Sequence, residues 1–389
     1  MLGARSPIPL QPQRRKNLAV TSRALIFASV ALVSGCAYDA EFADCTVRCI
    51  DDSACPDNLT CGAEGLCQAS LTPEACAASS GTPLSCAGLA PLCGPGENED
   101  CCSAAEPIPG GTFFRSYDVA GDGMYPSTSY PATVSPFLLD RFEVTVGRFR
   151  KFVEAGRGTR AQPPLAGAGA RRLNGLDSQG GWEASWNIFL APDSSNLVTT
   201  LKCDATYQTW TDAPGENEEL PINCVTWYEA FAFCAWDGGF LPTEAEWNFA
   251  AAGGDQQRAY PWSNPPGSTV IDCSYANHKD GAAYCVPSAG GANRVGSESP
   301  KGEGRWGQTD LGGNIWEWTL DYYRPYRASC SDCTELDGAP GRVIRGGHFG
   351  DTISFLRSAN RNYYTGSRFY SVGMRCGRQA TRRYGQEIF

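Results

Sequence analysis

Two carboxylates, Asp310 and Glu317, bracket the glycine-rich run DLGGNIWE at 310–317. Calcium takes about six to eight hard oxygens, and a tight turn of this kind supplies backbone carbonyls between side-chain anchors. The other reading of the run is a metal-free turn whose Trp316 and Trp318 fill the core. A second group is mainly cationic: Arg345, His348, Arg357, Asn360 and Arg361, with Asp351 among them. Guanidinium forks beside an amide suit a carboxylate, a phosphate or a peptide backbone. Arg357 and Arg361 equally suit the buttressing of acidic loops, and both readings stand.

Other constellations read as structural. Glu244 and Glu246 lie in LPTEAEW, where Thr243 and Glu246 form a capping box, so helix-start chemistry fits better than paired-carboxylate catalysis. Cys330-Ser-Asp-Cys333 has redox spacing, but Asp332 and Glu335 oppose a thiolate, and a structural disulfide in a surface loop is expected. The chain has two histidines, His278 and His348. A two-His-one-carboxylate iron site would require them to converge.

Short elements must position these groups. Phe149, Phe152 and Val153 sit at helical spacing after Thr145 and before Gly156. Thr226 caps a second helix over Trp227 to Trp236, stopped by Gly238-Gly239, and Thr243 caps a third reaching Ala252. Strands are expected at 133–140, 342–345 and 371–376, and loops over 157–220. All ten tryptophans fall between Trp182 and Trp318. Gly and Pro are scattered throughout, which predicts much irregular structure in one domain from Pro107 onward.

Residues 1–35 carry Arg5, Arg14, Arg15, Lys16 and Arg23, no acid, and an apolar run from Ala24 to Val33. That is a secretory leader, its run of about 10 residues too short for a membrane span. Val33-Ser-Gly-Cys36 resembles the lipobox of bacterial lipoproteins, which implies a lipidated Cys36 and a membrane anchor. Without Asp at the next position, Ala37, outer-membrane or cell-surface anchoring in a Gram-negative bacterium is expected. Setting Cys36 aside, the 19 cysteines fall into even sets, ten over 45–102 and eight over 203–376, as pairing in an oxidising compartment requires. Residues 36–106 read as a disulfide-rich stalk with little apolar core, the vicinal Cys101 and Cys102 bonding to different partners. The formal charge is −10, and losing the leader makes it more negative, which excludes nucleic acid as a partner.

In order, IPGG (108–111), DRFEVT (140–145), LPTEAEW (241–247), YPW (260–262), GNIWEW (313–318), RGG (345–347) and GMRC (373–376) resemble the sulfatase-modifying-factor, or formylglycine-generating enzyme, family. The resemblance runs from Pro107 to Arg378. It implies an α+β, irregular, C-type-lectin-related fold with little regular secondary structure over 107–389, preceded by the small disulfide-rich module. It implies calcium ligands at Asp310, the carbonyls of Gly313 and Ile315, and Glu317. A second calcium site is partly echoed by Asn277 and the carbonyl of His278. A family disulfide falls on Cys234 and Cys376, closing a loop worth on the order of 4–5 kcal/mol. Another falls on Ala251 and Ser358, lost as a unit. The remaining cysteines are expected to pair as 203–224, 273–285 and 330–333.

The family's oxidases hold copper(I) between two thiolates just after RGG. Here HFGDTISFLRSANR at 348–361 has no cysteine, so copper is not expected. Another branch uses three histidines and iron, which two histidines cannot supply. The expectation is a calcium-stabilised, exported lipoprotein that binds an unidentified protein, peptide or small molecule and lacks formylglycine oxidase activity. The competing expectation is a formylglycine-generating oxidoreductase, or a related metal-dependent oxidase, with a non-standard active site.

Overall fold

A computed structural model describes residues 60–61, 67–68, 83–103, 105–173, 177–286, 291–338 and 341–380. The leader, Cys36 and most of the proposed stalk lie outside the described residues. The chain divides into two units, Met1–Cys76 and Ala77–Phe389. In the first, β1 (Thr60–Cys61) pairs antiparallel with β2 (Cys67–Gln68).

The second unit is α+β and irregular. Its elements in order are β3 (Gly111–Phe114), β4 (Pro131–Val134), β5 (Phe137–Leu139), α1 (Val146–Glu154), β6 (Arg171–Leu173) and β7 (Asp177–Gln179). Then come α2 (Ser194–Thr200), α3 (Trp227–Trp236), α4 (Glu244–Ala251), β8 (Lys279–Asp280) and β9 (Ala283–Tyr284). The last are β10 (Trp316–Tyr322), β11 (Cys330–Ser331), β12 (Arg342–Arg345), β13 (Asn362–Tyr364), β14 (Val372–Gly373) and β15 (Gly377–Gln379). Among the described residues no helix is long and apolar enough to cross a membrane.

The helices start where capping chemistry places them. Thr145 Oγ1 accepts from Arg148 N at 3.3 Å, and Thr226 with Glu229 and Thr243 with Glu246 both close capping boxes. Gly156, Gly238 and Gly253 follow the three helices with positive φ, the backbone state that glycine adopts without penalty. The expected strand over 133–140 is broken in two. Ser135 turns its N–H to Asp332 Oδ1 at 2.7 Å, and Pro136 has none to give a ladder. The expected loops over 157–220 contain α2, whose start is fixed by Asp193 Oδ1 accepting from Asn196 N at 2.9 Å.

β10 is the axis of the unit, in a sheet ordered β13-β12-β10-β14, antiparallel to β12 and parallel to β14. Its first six residues are buried, so tryptophans and polar groups alike must find partners inside. Trp318 Nε1 donates to the Val225 carbonyl at 3.2 Å, and Trp227 Nε1 donates to the Thr319 carbonyl at 2.8 Å. These bonds let large rings fill the core without stranding their N–H groups.

Residues 83–103 are tied to the elements that follow. Ser85 N donates to Asp237 Oδ1 at 2.7 Å and Gly94 N to the Val295 carbonyl at 3.1 Å. Cys86 pairs with Cys102 and Cys93 with Cys101, so the vicinal cysteines do take different partners. Cys203–Cys224, Cys234–Cys376, Cys273–Cys285 and Cys330–Cys333 are the other bridges. A buried knot joins Arg148 to Asp140 and Asp237 at 2.9 and 2.7 Å. Arg378 reaches the same two aspartates at 2.9 and 2.8 Å.

Candidate functional site

The run leading into α1 supplies Glu143, the turn before β10 supplies Asp310, β10 itself carries Glu317, and the loop after Arg294 adds Glu298. Glu143, Asp310 and Glu317 are buried. Asn314 Nδ2 donates to Glu143 Oε2 at 2.6 Å, while Gly296 N and Thr309 Oγ1 donate to Asp310 Oδ2 at 2.6 and 2.9 Å. Both Glu317 oxygens meet Arg375, at 2.7 and 2.8 Å, and Oε2 also accepts from Trp247 Nε1 at 2.7 Å. The turn is held in an uncommon backbone state, with φ +55° at Asp310, +96° at Gly313 and +58° at Asn314. A side chain at Gly313 would put its Cβ 2.6 Å from the Asn277 carbonyl, so only glycine fits there.

The electrostatics are unbalanced. Burial, reinforced by the charges of Asp310 and Glu317, pushes Glu143 well above the usual carboxylate range. Burial also raises Asp310 and, with the Asp310 charge, lifts Glu298 to about 8. Glu298 Oε2 is buried with no hydrogen-bond partner. Four carboxylates facing one guanidinium must share protons or a cation. The donors are all hard oxygens, and Glu317 Oε1 keeps lone-pair capacity beyond Arg375. These are donors of the type calcium takes, but among the described residues the ligating atoms of these four carboxylates do not gather as closely as a ready-formed metal group would. Glu143 and Glu298 were not among the residues read from the sequence as ligands, although the DRFEVT motif contains Glu143.

The second expected calcium pair is differently placed. Asn277 Nδ2 donates to the Gly291 carbonyl at 2.9 Å and to Asn314 Oδ1 at 3.2 Å, and the His278 carbonyl accepts from Cys285 N at 3.0 Å. Asn277 therefore braces the turn at 310–315, His278 bonds instead to residues 276 and 285, and neither shows a carboxylate hydrogen-bond partner among the described residues. His278 also sits beside the Cys273–Cys285 bridge, its Nδ1 3.4 Å from Cys285 Sγ. The ligating atoms of His278 and His348 do not gather with a carboxylate among the described residues, so the sequence's iron alternative has no geometry.

The residues of the expected cationic pocket take different partners. His348 Nε2 lies 3.5 Å from Asp351 Oδ1, its Nδ1 accepts from Gly350 N at 3.1 Å, and burial lowers it to about 4, leaving it neutral. Burial raises Asp351 to about 6. Arg357 is buried against Asp118 and Asp122, which is the loop-buttressing reading. Arg345 is fully buried, pairing with Glu244 and donating to Tyr326 Oη at 3.0 Å and the Asn360 carbonyl at 2.5 Å. Arg361 stacks on Tyr326 with Cζ 3.7 Å from the ring centre. A cavity of about 280 Å³ opens beside Tyr326 and Arg361.

Residues 96–380 match the family described as Sulfatase-modifying factor enzyme 1-like domain. The chain belongs to the sulfatase-modifying factor family. It is 30% identical over 298 residues to inactive C-alpha-formylglycine-generating enzyme 2 of Mus musculus, covering 71% of this chain and 85% of that protein. It is 29% identical over 273 residues to the formylglycine-generating enzyme of Thermomonospora curvata, covering 62% and 81%. Among solved structures, PvdO from Pseudomonas aeruginosa aligns over 72% of this chain and 100% of its own, at TM-score 0.47 and 18% identity. As a member of the sulfatase-modifying factor family, this chain differs in the segment after RGG, where 348–361 has no cysteine. Every cysteine described between 83 and 380 is in a disulfide. Ser358 Oγ donates to the Ala251 carbonyl at 3.0 Å, so a hydrogen bond joins the two positions assigned to the lost bridge.

Proposed function

We propose that this chain is a calcium-stabilised member of the sulfatase-modifying factor family that binds a ligand or protein partner and does not generate formylglycine. The observation that carries the reading is the state of its sulfur. With the cysteines of 83–380 tied in disulfides and none in 348–361, these described residues offer no thiolate pair to copper(I), the soft ion that such ligands select. His348 and Asp351 stand in that segment, the His348 N–H donating to Asp351 Oδ2 at 3.1 Å, and neither is a thiolate. The name of the mouse relative, an inactive formylglycine-generating enzyme, agrees with this direction. Calcium would be held by Glu143, Asp310 and Glu298, with Glu317 and the carbonyls of Gly313 and Ile315. Its role is to neutralise buried carboxylates and fix the turn that feeds β10. Export and lipid anchoring through Cys36 to a Gram-negative outer membrane or cell surface complete the proposal, consistent with the six described disulfides.

The test is direct. Purified protein with copper(I), oxygen and a Cys-x-Pro-x-Arg peptide is expected to give no formylglycine by mass spectrometry, and turnover would overturn the reading. A metal inventory should find calcium and no stoichiometric copper or iron. Mass spectrometry of the mature N-terminus should show a lipidated Cys36.

A further inference from the structure

The cavity beside Tyr326 is walled by Arg115 after β3, Glu244 of α4, the end of β10 at 321–322, the loop 324–327, the Cys330–Glu335 turn, Val343 of β12 and Arg361 before β13. Its lining holds four arginines, Arg115, Arg324, Arg327 and Arg361, and four carboxylates, Glu244, Asp321, Asp332 and Glu335. Arg327 pairs with Glu335, Arg345 with Glu244 and Arg171 with Asp332. Arg345 and Arg171 come from outside the lining, and Arg171 is shared with Glu246. Arg115, Arg324 and Arg361 are the lining arginines that make no ion pair among the described residues, and Asp321 is the lining carboxylate that makes none. Their hydrogen bonds go to carbonyls: Arg115 to Arg327 at 2.7 Å, Arg324 to Asp337 at 3.2 Å and Arg361 to Arg324 at 2.8 Å. Arg115 is 5% exposed, and its buried Nε has no partner at all.

Two of these cations converge on one ring. Arg115 Cζ stands 4.4 Å and Arg361 Cζ 3.7 Å from the centre of Tyr326. Tyr326 is held in turn by Ser116 Oγ at 2.8 Å and by donating to Glu244 Oε1 at 2.6 Å. Burial, with a further contribution from the Arg361 charge, lowers Arg115 below the usual guanidinium range. Like charges brought together in a half-closed space cost free energy unless an anion joins them. The opposite wall is already rigid, because Asp332 accepts from Ser135 N and Oγ at 2.7 Å and pairs with Arg171.

We propose that this cavity binds a small ligand through an oxyanion group, a carboxylate, sulfate or phosphate, received by Arg115 and Arg361 with Arg324 at the rim. Guanidinium forks match such groups with two parallel hydrogen bonds. The site sets Arg115 and Arg361 over one ring in a chain of net charge −10, which favours a compact ligand over an extended polyanion. The proposal deepens the binding-module reading and rests on it.

Calorimetric titration of the full-length protein, in low-chloride buffer, separates the sources of the oxyanion by using acetate, sulfate and phosphate in separate arms. At least one should bind saturably at one site per chain. Saturation by acetate alone assigns a carboxylate ligand, and saturation by sulfate or phosphate alone assigns a tetrahedral one. Arg361→Gln should weaken that binding about tenfold or more, the scale of a lost charged hydrogen bond. Arg324→Gln, at an exposed position, should weaken it less, and Arg305→Gln, remote from the cavity and paired with Asp255, should leave it unchanged. No saturable binding of any of the three anions, or wild-type affinity in a folded Arg361→Gln variant, overturns the site. Formylglycine turnover with intact anion binding would instead overturn the non-oxidase reading and leave the cavity assignment standing.

Discussion

Arg375 forks both oxygens of Glu317, Nε to Oε2 at 2.8 Å and Nη2 to Oε1 at 2.7 Å, with both side chains wholly buried. Arg375 also donates to the carbonyls of Arg141 and Thr309 at 2.9 and 2.8 Å. One guanidinium therefore fastens β10 to the run that carries Glu143 and to the residue before Asp310. Arg375→Met leaves a buried carboxylate uncompensated and should cost about 3–5 kcal/mol. Urea denaturation measures it, and the double variant Arg375→Met with Glu317→Met should recover part of the loss.

Calcium at about 100 times its dissociation constant should stabilise the fold by about 2.7 kcal/mol. A thermal scan with and without EDTA reads the difference. Glu143→Gln with Asp310→Asn should abolish the response while leaving the EDTA-treated protein folded. An EDTA-insensitive wild-type melting temperature would contradict the assignment.

Asp321 carries a pH dependence of known sign. Burial raises its carboxyl from 3.8 to about 7, so the folded state holds the proton more firmly than the unfolded chain does. Its contribution is full below pH 3.8 and is lost as pH rises through 7. Asp321→Asn should flatten the fall in stability between about pH 4 and pH 7 relative to wild type. Asp351, raised by burial to about 6, keeps a smaller slope in both proteins.

Bridges of different span should differ in worth. Cys234–Cys376 spans 142 residues and Cys330–Cys333 only 3. Replacing the first pair with alanine should cost on the order of 4–5 kcal/mol, and the second about 2 kcal/mol. Denaturant midpoints of the two double variants give the order, and the reverse order would show that the closed loop does not set the effect.

The helices and bridges were legible because their signals are local. Thr226-x-x-Glu229 and Thr243-x-x-Glu246 name their own starts, and the family motifs fix Cys234 against Cys376. The acid centre was half legible. Asp310 and Glu317 lie seven residues apart, but Glu143 arrives from before α1 and Glu298 from another loop, and no spacing rule links them. The partners of the cationic group were not legible for a similar reason. Arg345, Arg357 and Arg361 are close in sequence, yet the turn through 346–360 sends Arg357 to Asp118 and Asp122 and leaves Arg361 beside Tyr326. Arg115, the other cation set over that ring, is more than two hundred positions upstream. The break at Ser135–Pro136 depended on Asp332, again a distant residue.

The knot of Arg148, Asp140, Asp237 and Arg378 sets a condition on biosynthesis. As the nascent polypeptide is made, Asp140, Asp237 and Cys234 emerge long before Arg378 and Cys376 do. Until those residues join the fold, two aspartates lack one of their cations and one thiol lacks its mate. Without residues 375–378, Cys234 would lose its mate, Glu317 its cation, and the two aspartates would keep Arg148 alone. Residues 375–378 thus close this domain.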